Sequence, residues 1–172
     1  MKGTIYALCL AAAVAVVIAG CGSGETSSTS SEGDVKPASS TGAAGSGIAV
    51  ISAAEVGNLG TVLVDSDGHT LYSFSKDEHS LYSAFSSGCY GACAQTWSPL
   101  LSEGEPDAKN GAFPTKLSLL ERREGTLQVT YYGHPLYIYA SDQRPGEANG
   151  NDISQFGGKW YALRPDGQEP KG

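Results

Sequence analysis

The sequence predicts a mostly β domain: two tandem antiparallel repeats, each a hairpin followed by a third strand, packed with pseudo-twofold symmetry and joined by short helical turns. Three observations carry this reading. The stretch from Gly60 to Asp77 recurs 65 positions later as Gly125 to Asp142, with identity at Gly60, Thr61, Val64, Gly68, His69, Leu71, Tyr72 and Asp77 and no gap. A recurrence of this kind defines the structural unit before any other assignment is made. Within each copy, apolar and polar residues alternate with period two on either side of a Gly-containing turn, the signature of half-buried strands joined as a hairpin. Each copy then runs on to a tryptophan, Trp97 or Trp160, flanked by strand-compatible residues.

Taken in order, Ile48 to Ser52 is expected to open the domain as a strand. In the first repeat (about 57-101) Val62 and Val64 point to one face, Asp67-Gly68 supplies the turn, and Tyr72 and Phe74 return along the second strand. Helix is expected only as short turns near Leu81–Phe85 and Ala92–Trp97, with a third strand after Trp97. Leu117 to Glu121 is expected to lead into the second repeat (about 122-168). There Leu127, Val129 and Tyr131 form the first strand, Tyr132-Gly133 the turn, Tyr137 and Tyr139 the second strand, and the residues about Trp160 the third. Two such half-sheets would share one core.

The residues before this domain read as address. A single cation, Lys2, precedes an apolar run from Ile5 to Ala19 that is too short to span a bilayer, so residues 1-20 read as a signal peptide. The run ends Ile18-Ala-Gly-Cys21, a lipobox-like pattern in which Cys21 is expected to be acylated. Residues 21-47 are rich in Ser, Thr, Gly and Ala, and cannot bury enough surface to offset their ordering entropy. They read as a tether reaching roughly 25–30 Å on random-coil scaling. The rest, 48-172, is one domain. Its membrane contact is expected to be the acyl chains on Cys21, two of which suffice for stable anchoring. The net charge of −7 becomes −8 on processing because Lys2 is the one charged residue removed. That acidity disfavours nucleic acid and anionic lipid alike, and no basic cluster argues otherwise.

Two cysteines remain in the mature domain, Cys89 and Cys93. On a helical turn their Cα atoms would lie about 6 Å apart, within reach of a bridge, and an extracytoplasmic address favours one. The other reading of the pair is a dithiol that binds Cu(I) or cycles with its disulfide, with His69 and His134 as further ligands.

Tyr72 and Asp77, like Tyr137 and Asp142, are separated by about 17 Å on an extended strand, so they cannot bond within one copy. Tyr72 and Phe74, with Tyr137 and Tyr139, are expected to be core aromatics. Each Asp is expected to accept local backbone N–H bonds where its strand ends, or to meet the other repeat's Tyr hydroxyl. The oxygen-rich loop from Asp142 to Asp152 lacks the EF-hand spacing, and serine-nucleophile, phosphate-loop and His-Glu-x-x-His motifs are missing. No cofactor and no catalytic residue is assigned.

At Leu71-Tyr72-Ser-Phe74-Ser-Lys-Asp77 and Leu136-Tyr137-Ile-Tyr139-Ala-Ser-Asp142 the chain resembles a family of predicted bacterial lipoproteins built from tandem secreted repeats with a Tyr-x4-Asp motif, often Tyr-x-aromatic-x-x-Asp. The resemblance extends to Gly91-Ala-Cys-Ala-x-x-Trp-x-Pro-Leu100 and Gly157-Gly-Lys-Trp-Tyr161. It implies a lipid-anchored surface protein of uncharacterised function. The expected role is a non-enzymatic binding or structural module with an unknown extracytoplasmic partner; the alternative is a redox or copper-handling lipoprotein acting through Cys89 and Cys93.

Overall fold

The structure, a computed structural model, describes residues 47–78 and 86–169. The expected signal peptide, Cys21, the tether and the helical turn at Leu81–Phe85 lie outside the described residues. β1 (Val50–Glu55) precedes the first repeat, which contributes β2 (Thr61–Val64), β3 (Leu71–Phe74), the short helix α1 (Ala92–Thr96) and β4 (Trp97–Pro99). After β5 (Asp107–Ala108), the second contributes β6 (Leu117–Glu121), β7 (Leu127–Tyr131), β8 (His134–Pro135), β9 (Tyr137–Tyr139), β10 (Ile153–Gln155) and β11 (Gly158–Ala162). The mostly β, two-repeat architecture is as expected. No helix among the described residues is long and apolar enough to cross a membrane.

The hairpin expected in the first repeat opens out. The turn forms, with Asp65 N donating to His69 O and Gly68 N to Asp65 O, but β2 and β3 share a single bridge, Val64 to Thr70. Beyond it β2 pairs with β1, from Ser52 opposite Val64 to Glu55 opposite Thr61, while β3 enters a different sheet. The turn residues encode a chain reversal, and what each strand pairs with afterwards is settled by core contacts. The second repeat keeps a two-residue hairpin between β7 and β8, Tyr131 facing His134. Both of its turn residues, Tyr132 and Gly133, have positive φ (50° and 80°), as such a turn demands.

The third strands correct the expected half-sheets. The central sheet runs β10-β11-β3-β9-β4, so β11 of the second repeat pairs with β3 of the first, and β4 of the first pairs with β9 of the second. Trp160 lies opposite Phe74, and Trp97 opposite Tyr139. At the middle, Tyr72 lies opposite Tyr137, its own counterpart in the other repeat. The linking hydrogen bonds are reciprocal too: Leu163 N donates to Leu71 O and Leu100 N to Leu136 O, while Ser75 N donates to Lys159 O and Ala140 N to Thr96 O. The outer strands lack this reciprocity. β5 joins the parallel edge of β1, and β10 extends β11.

Both faces of the central sheet are covered, which explains why all four residues of β3 are buried. On one face Leu71, Leu136 and Leu163 join Ile51, Leu63, Val129 and Tyr131 in an aliphatic core. On the other, Tyr72, Phe74, Trp97, Tyr137 and Trp160 pack with Val62, Val64, Cys89 and Cys93. Gly150 presses on this aromatic core: a Cβ there would come within 2.6 Å of Trp97 and 3.0 Å of Tyr72.

Candidate functional site

The doubled Tyr and Asp meet at the aromatic face of the central sheet, each pair made across the repeats. Tyr72 Oη donates to Asp142 Oδ2, and Tyr137 Oη donates to Asp77 Oδ1 at 3.0 Å. Each Asp closes the turn at its strand end through its own N–H, Asp77 to Phe74 O and Asp142 to Tyr139 O. Each also accepts a loop amide on Oδ1: Gly88 N on Asp77 at 2.7 Å and Asn149 N on Asp142 at 2.9 Å. Both structural roles expected of the aspartates are therefore present at once. The two tyrosines are fully buried, and Asp77 and Asp142 are 6% and 5% exposed.

Between the pairs stands a column of four rings. Trp97 and Trp160 stack at its centre with centroids 3.9 Å apart and planes 4° apart. Phe74 caps the Trp160 side at 4.1 Å and Tyr139 the Trp97 side at 4.1 Å. Tyr72 meets the edge of Trp97 at 5.2 Å, and Tyr137 that of Trp160 at 5.1 Å. The indole N–H groups converge on one residue: Trp97 Nε1 donates to Gln155 Oε1 at 3.0 Å and Trp160 Nε1 to Gln155 O at 3.3 Å.

The surroundings of the two aspartates differ. Near Asp77 the buried Arg122 donates through Nη1 to Ser87 Oγ (2.9 Å) and Gln128 Oε1 (2.7 Å), through Nη2 to Cys89 O (2.9 Å), and through Nε to Glu124 Oε1 (2.6 Å). Ser87 Oγ in turn lies 2.8 Å from Tyr137 Oη. Asp77 Oδ2 is buried with no hydrogen-bond partner among the described residues. Burial pushes the Asp77 carboxyl up to about 7, against the lowering effects of Gly88 N–H, Tyr137 and the Arg122 charge. Burial, with the neighbouring carboxylates, also holds the phenols of Tyr72 and Tyr137 well above their ordinary range.

A raised carboxyl pKa means that the folded state binds its proton more tightly than the unfolded chain does. Its contribution to stability is therefore complete below the unfolded value of 3.8 and is lost as pH rises through about 7. At about 1.4 kcal/mol per unit, the unfolding free energy is expected to fall by at most roughly 4 kcal/mol over that window from this group alone. Urea titrations at a series of pH values should show a slope in the wild type that is flattened in Asp77→Asn. Parallel profiles for the two proteins would rule out Asp77 as the source.

The remaining sequence-predicted residues lie elsewhere. Cys89 and Cys93 are joined by the expected disulfide, with Cα atoms 5.2 Å apart, buried beside the aromatic column. As a disulfide the sulfurs offer no thiolate to a metal. His69 sits in the β2–β3 turn, its Nδ1 3.3 Å from Asp65 Oδ2, and His134 begins β8 opposite Tyr131. Asp65, Asp67 and His69 bring ligand-type atoms within 4.8 Å of one another, but the Asp65 carboxylate already accepts the N–H groups of Asp67 and His69 and so closes the turn. The Asp142–Asp152 loop is a set of turns in which Glu147 accepts from Gln143 N and Arg144.

Arg122 and Gln128, both buried, were missed by the sequence reading. The signal for Arg122 was the period-two register of β6, which carries inward from Leu120 to residue 122. Its charged neighbours Glu121, Arg123 and Glu124 hid it among exposed residues.

Residues 55–101 and 118–164 match a family described as a secreted repeat of unknown function. No curated protein and no solved structure matches the chain. The two matched segments divide where the recurrence of the Tyr and Asp residues divides, and together they cover more than half of the sequence. The chain belongs to this family of secreted repeats, carrying two tandem copies whose paired motifs close on each other.

Proposed function

We propose that the protein is a lipid-anchored, extracytoplasmic, non-enzymatic module: a rigid head held to a membrane by acyl chains on Cys21 and displayed on a Ser/Gly-rich tether to meet a surface partner. One observation carries the head's non-enzymatic role. The recurring Tyr and Asp side chains are bonded to one another at 0–6% exposure, where they brace the fold. What the head offers outward is different in kind. A shallow depression of about 420 Å³ beside the β10–β11 turn is lined by Ser75, Lys76, Gln155, Phe156 and Lys159. Phe156 is 46% exposed and sits at φ +52°, a costly conformation for a large side chain, at the tip of that turn. A displayed aromatic beside lysines on an acidic protein suits recognition.

The anchor is tested by labelling cells with an alkynyl palmitate analogue. The wild type is expected to incorporate label and fractionate with membranes, and Cys21→Ser to lose label and appear in the medium. Label retained by Cys21→Ser would overturn the assignment of that residue. The head is tested by photo-crosslinking from position 156 on intact cells. A discrete adduct that is lost when the crosslinker is moved to another exposed aromatic position, Phe113, is expected; equal yields from both positions would overturn the assignment of the binding face.

A further inference from the structure

The aromatic column combines features that packing alone does not require. Its central rings are tryptophans, among the most readily oxidised side chains, in face contact at 3.9 Å. Each tryptophan has a tyrosine at its edge within 5.2 Å, and each of those tyrosines donates its phenolic hydrogen to a buried carboxylate. Oxidised phenol is a very strong acid, so a buried tyrosine gives up an electron at an accessible potential only when a base stands ready for its proton. Asp142 and Asp77 stand at that position. The indole N–H groups instead end on the amide oxygens of Gln155, which are too weakly basic to take a proton. A vacancy on either tryptophan would thus stay charged and mobile, while one on Tyr72 or Tyr137 would be trapped as a neutral radical. The ends of the column differ as well. Phe74 resists oxidation and closes one end, whereas Tyr139 is half-buried and opens the other toward solvent.

We propose that this column is a hole-transfer relay, in which Trp97 and Trp160 carry a one-electron vacancy from the solvent-facing end of the column to Tyr72 or Tyr137 and the carboxylate bonded to that tyrosine takes up its proton. An outer-sphere one-electron oxidant or an oxygen-centred radical at the cell exterior takes one electron from Trp97 at the Tyr139 end of the column, leaving an indole radical cation, and is itself reduced. The tryptophan radical cation then recovers an electron from Tyr72, whose O–H bond breaks as the proton passes to Asp142 Oδ2. The products are tryptophan, a neutral tyrosyl radical and a protonated carboxyl. Tyr137 and Asp77 provide the equivalent step beside Trp160. A quinol-type reductant returns one electron, becoming a semiquinone and releasing its own proton to solvent, and the proton held on the carboxyl moves back to the phenol. The chemistry falls on aromatic rings shielded from solvent, beside the Cys89–Cys93 disulfide in the same core.

The test uses the full-length protein in detergent, oxidised by flash-generated ruthenium(III) tris-bipyridine, with transient absorption and freeze-quench electron paramagnetic resonance as readouts. The expected result is an indole radical cation that decays into a tyrosyl signal, several-fold more slowly in heavy water. In Tyr72→Phe/Tyr137→Phe the indole radical should live longer and the signal of a buried, hydrogen-bonded tyrosyl disappear, while Tyr132→Phe, at an exposed tyrosine, should match the wild type. A buried, hydrogen-bonded tyrosyl signal that survives the double substitution, or one that is lost with Tyr132, overturns the relay. If the double variant fails to fold, wild-type protein with ring-deuterated tyrosine decides it. A spectrum of a buried, hydrogen-bonded tyrosyl supports the relay, and one of a solvent-exposed tyrosyl, or no solvent isotope effect, overturns it.

Discussion

Cut in the turn at Asn110–Gly111, the chain is expected to yield two fragments, 1–110 and 111–172, neither of which folds alone, and which regain a native structure when mixed. The reason is the exchange of strands. β3 of the first repeat is flanked by β11 and β9, both from the second, and β9 is flanked by β3 and β4, both from the first. Separated, the first fragment keeps the sheet β2-β1-β5 and the second keeps β6-β7-β8 and the pair β10-β11, but β3, β4 and β9 lose every sheet partner they have. A strand stripped of its sheet partners leaves its backbone groups unpaired and its core side chains uncovered, and fragments of this size bury too little surface to compensate. Each would also expose half of the aromatic column and leave its Tyr without the carboxylate it bonds. Near-ultraviolet circular dichroism and urea unfolding of each fragment and of the mixture would check this. A cooperative transition in either fragment as a monomer would show that the repeats are independent units. Because Tyr72 faces its own counterpart Tyr137, a fragment at high concentration could pair with a second copy of itself. A concentration-dependent dimer would be the same exchange made between molecules.

Strand existence was legible because alternation is a local property: Val62 and Val64, Tyr72 and Phe74, and Tyr137 each carry it in their immediate neighbours. Reach was legible too. The distance between Tyr72 and Asp77 on an extended strand already forbade a bond within one copy, and so left the other repeat's Asp as a partner. Partner choice between strands was not legible. The turn at Asp65–Gly68 is compatible with strands that stay paired or separate, and only contacts with β9 and β11, far along the chain, pull β3 away from β2. The buried polar cluster was hidden for a related reason. Arg122 is buried because Ser87, Cys89 and Gln128 supply acceptors for its guanidinium, and none of these adjoins it in sequence.

Trp97→Ala is expected to lower stability by about 3–5 kcal/mol, the range for removing a fully buried tryptophan. Set against a typical domain stability of about 5–15 kcal/mol, this is a large share. Trp97 is, with Trp160, one of the two central rings of the column, each in contact with three others. Its loss removes the face contacts with Trp160 and Tyr139, the edge contact with Tyr72 and the hydrogen bond to Gln155. It also leaves a cavity that the surroundings are poorly placed to fill. Gly150 adds no side chain on that wall, and Tyr72 is held where it is by its bond to Asp142. The damage falls on both repeats, since Trp97 belongs to the first and its stacking partners to the second. In urea titrations the midpoint should drop by about 2 M, taking a slope of about 2 kcal/mol per molar. Tyr139→Ala, at the half-buried end of the column, should cost clearly less. Phe113→Ala, at an exposed ring, should stay within about 0.5 kcal/mol of the wild type. This ordering separates the column from generic loss of apolar surface. If Trp97→Ala cost no more than Tyr139→Ala, stacking at the centre would not be what binds the two repeats into one fold.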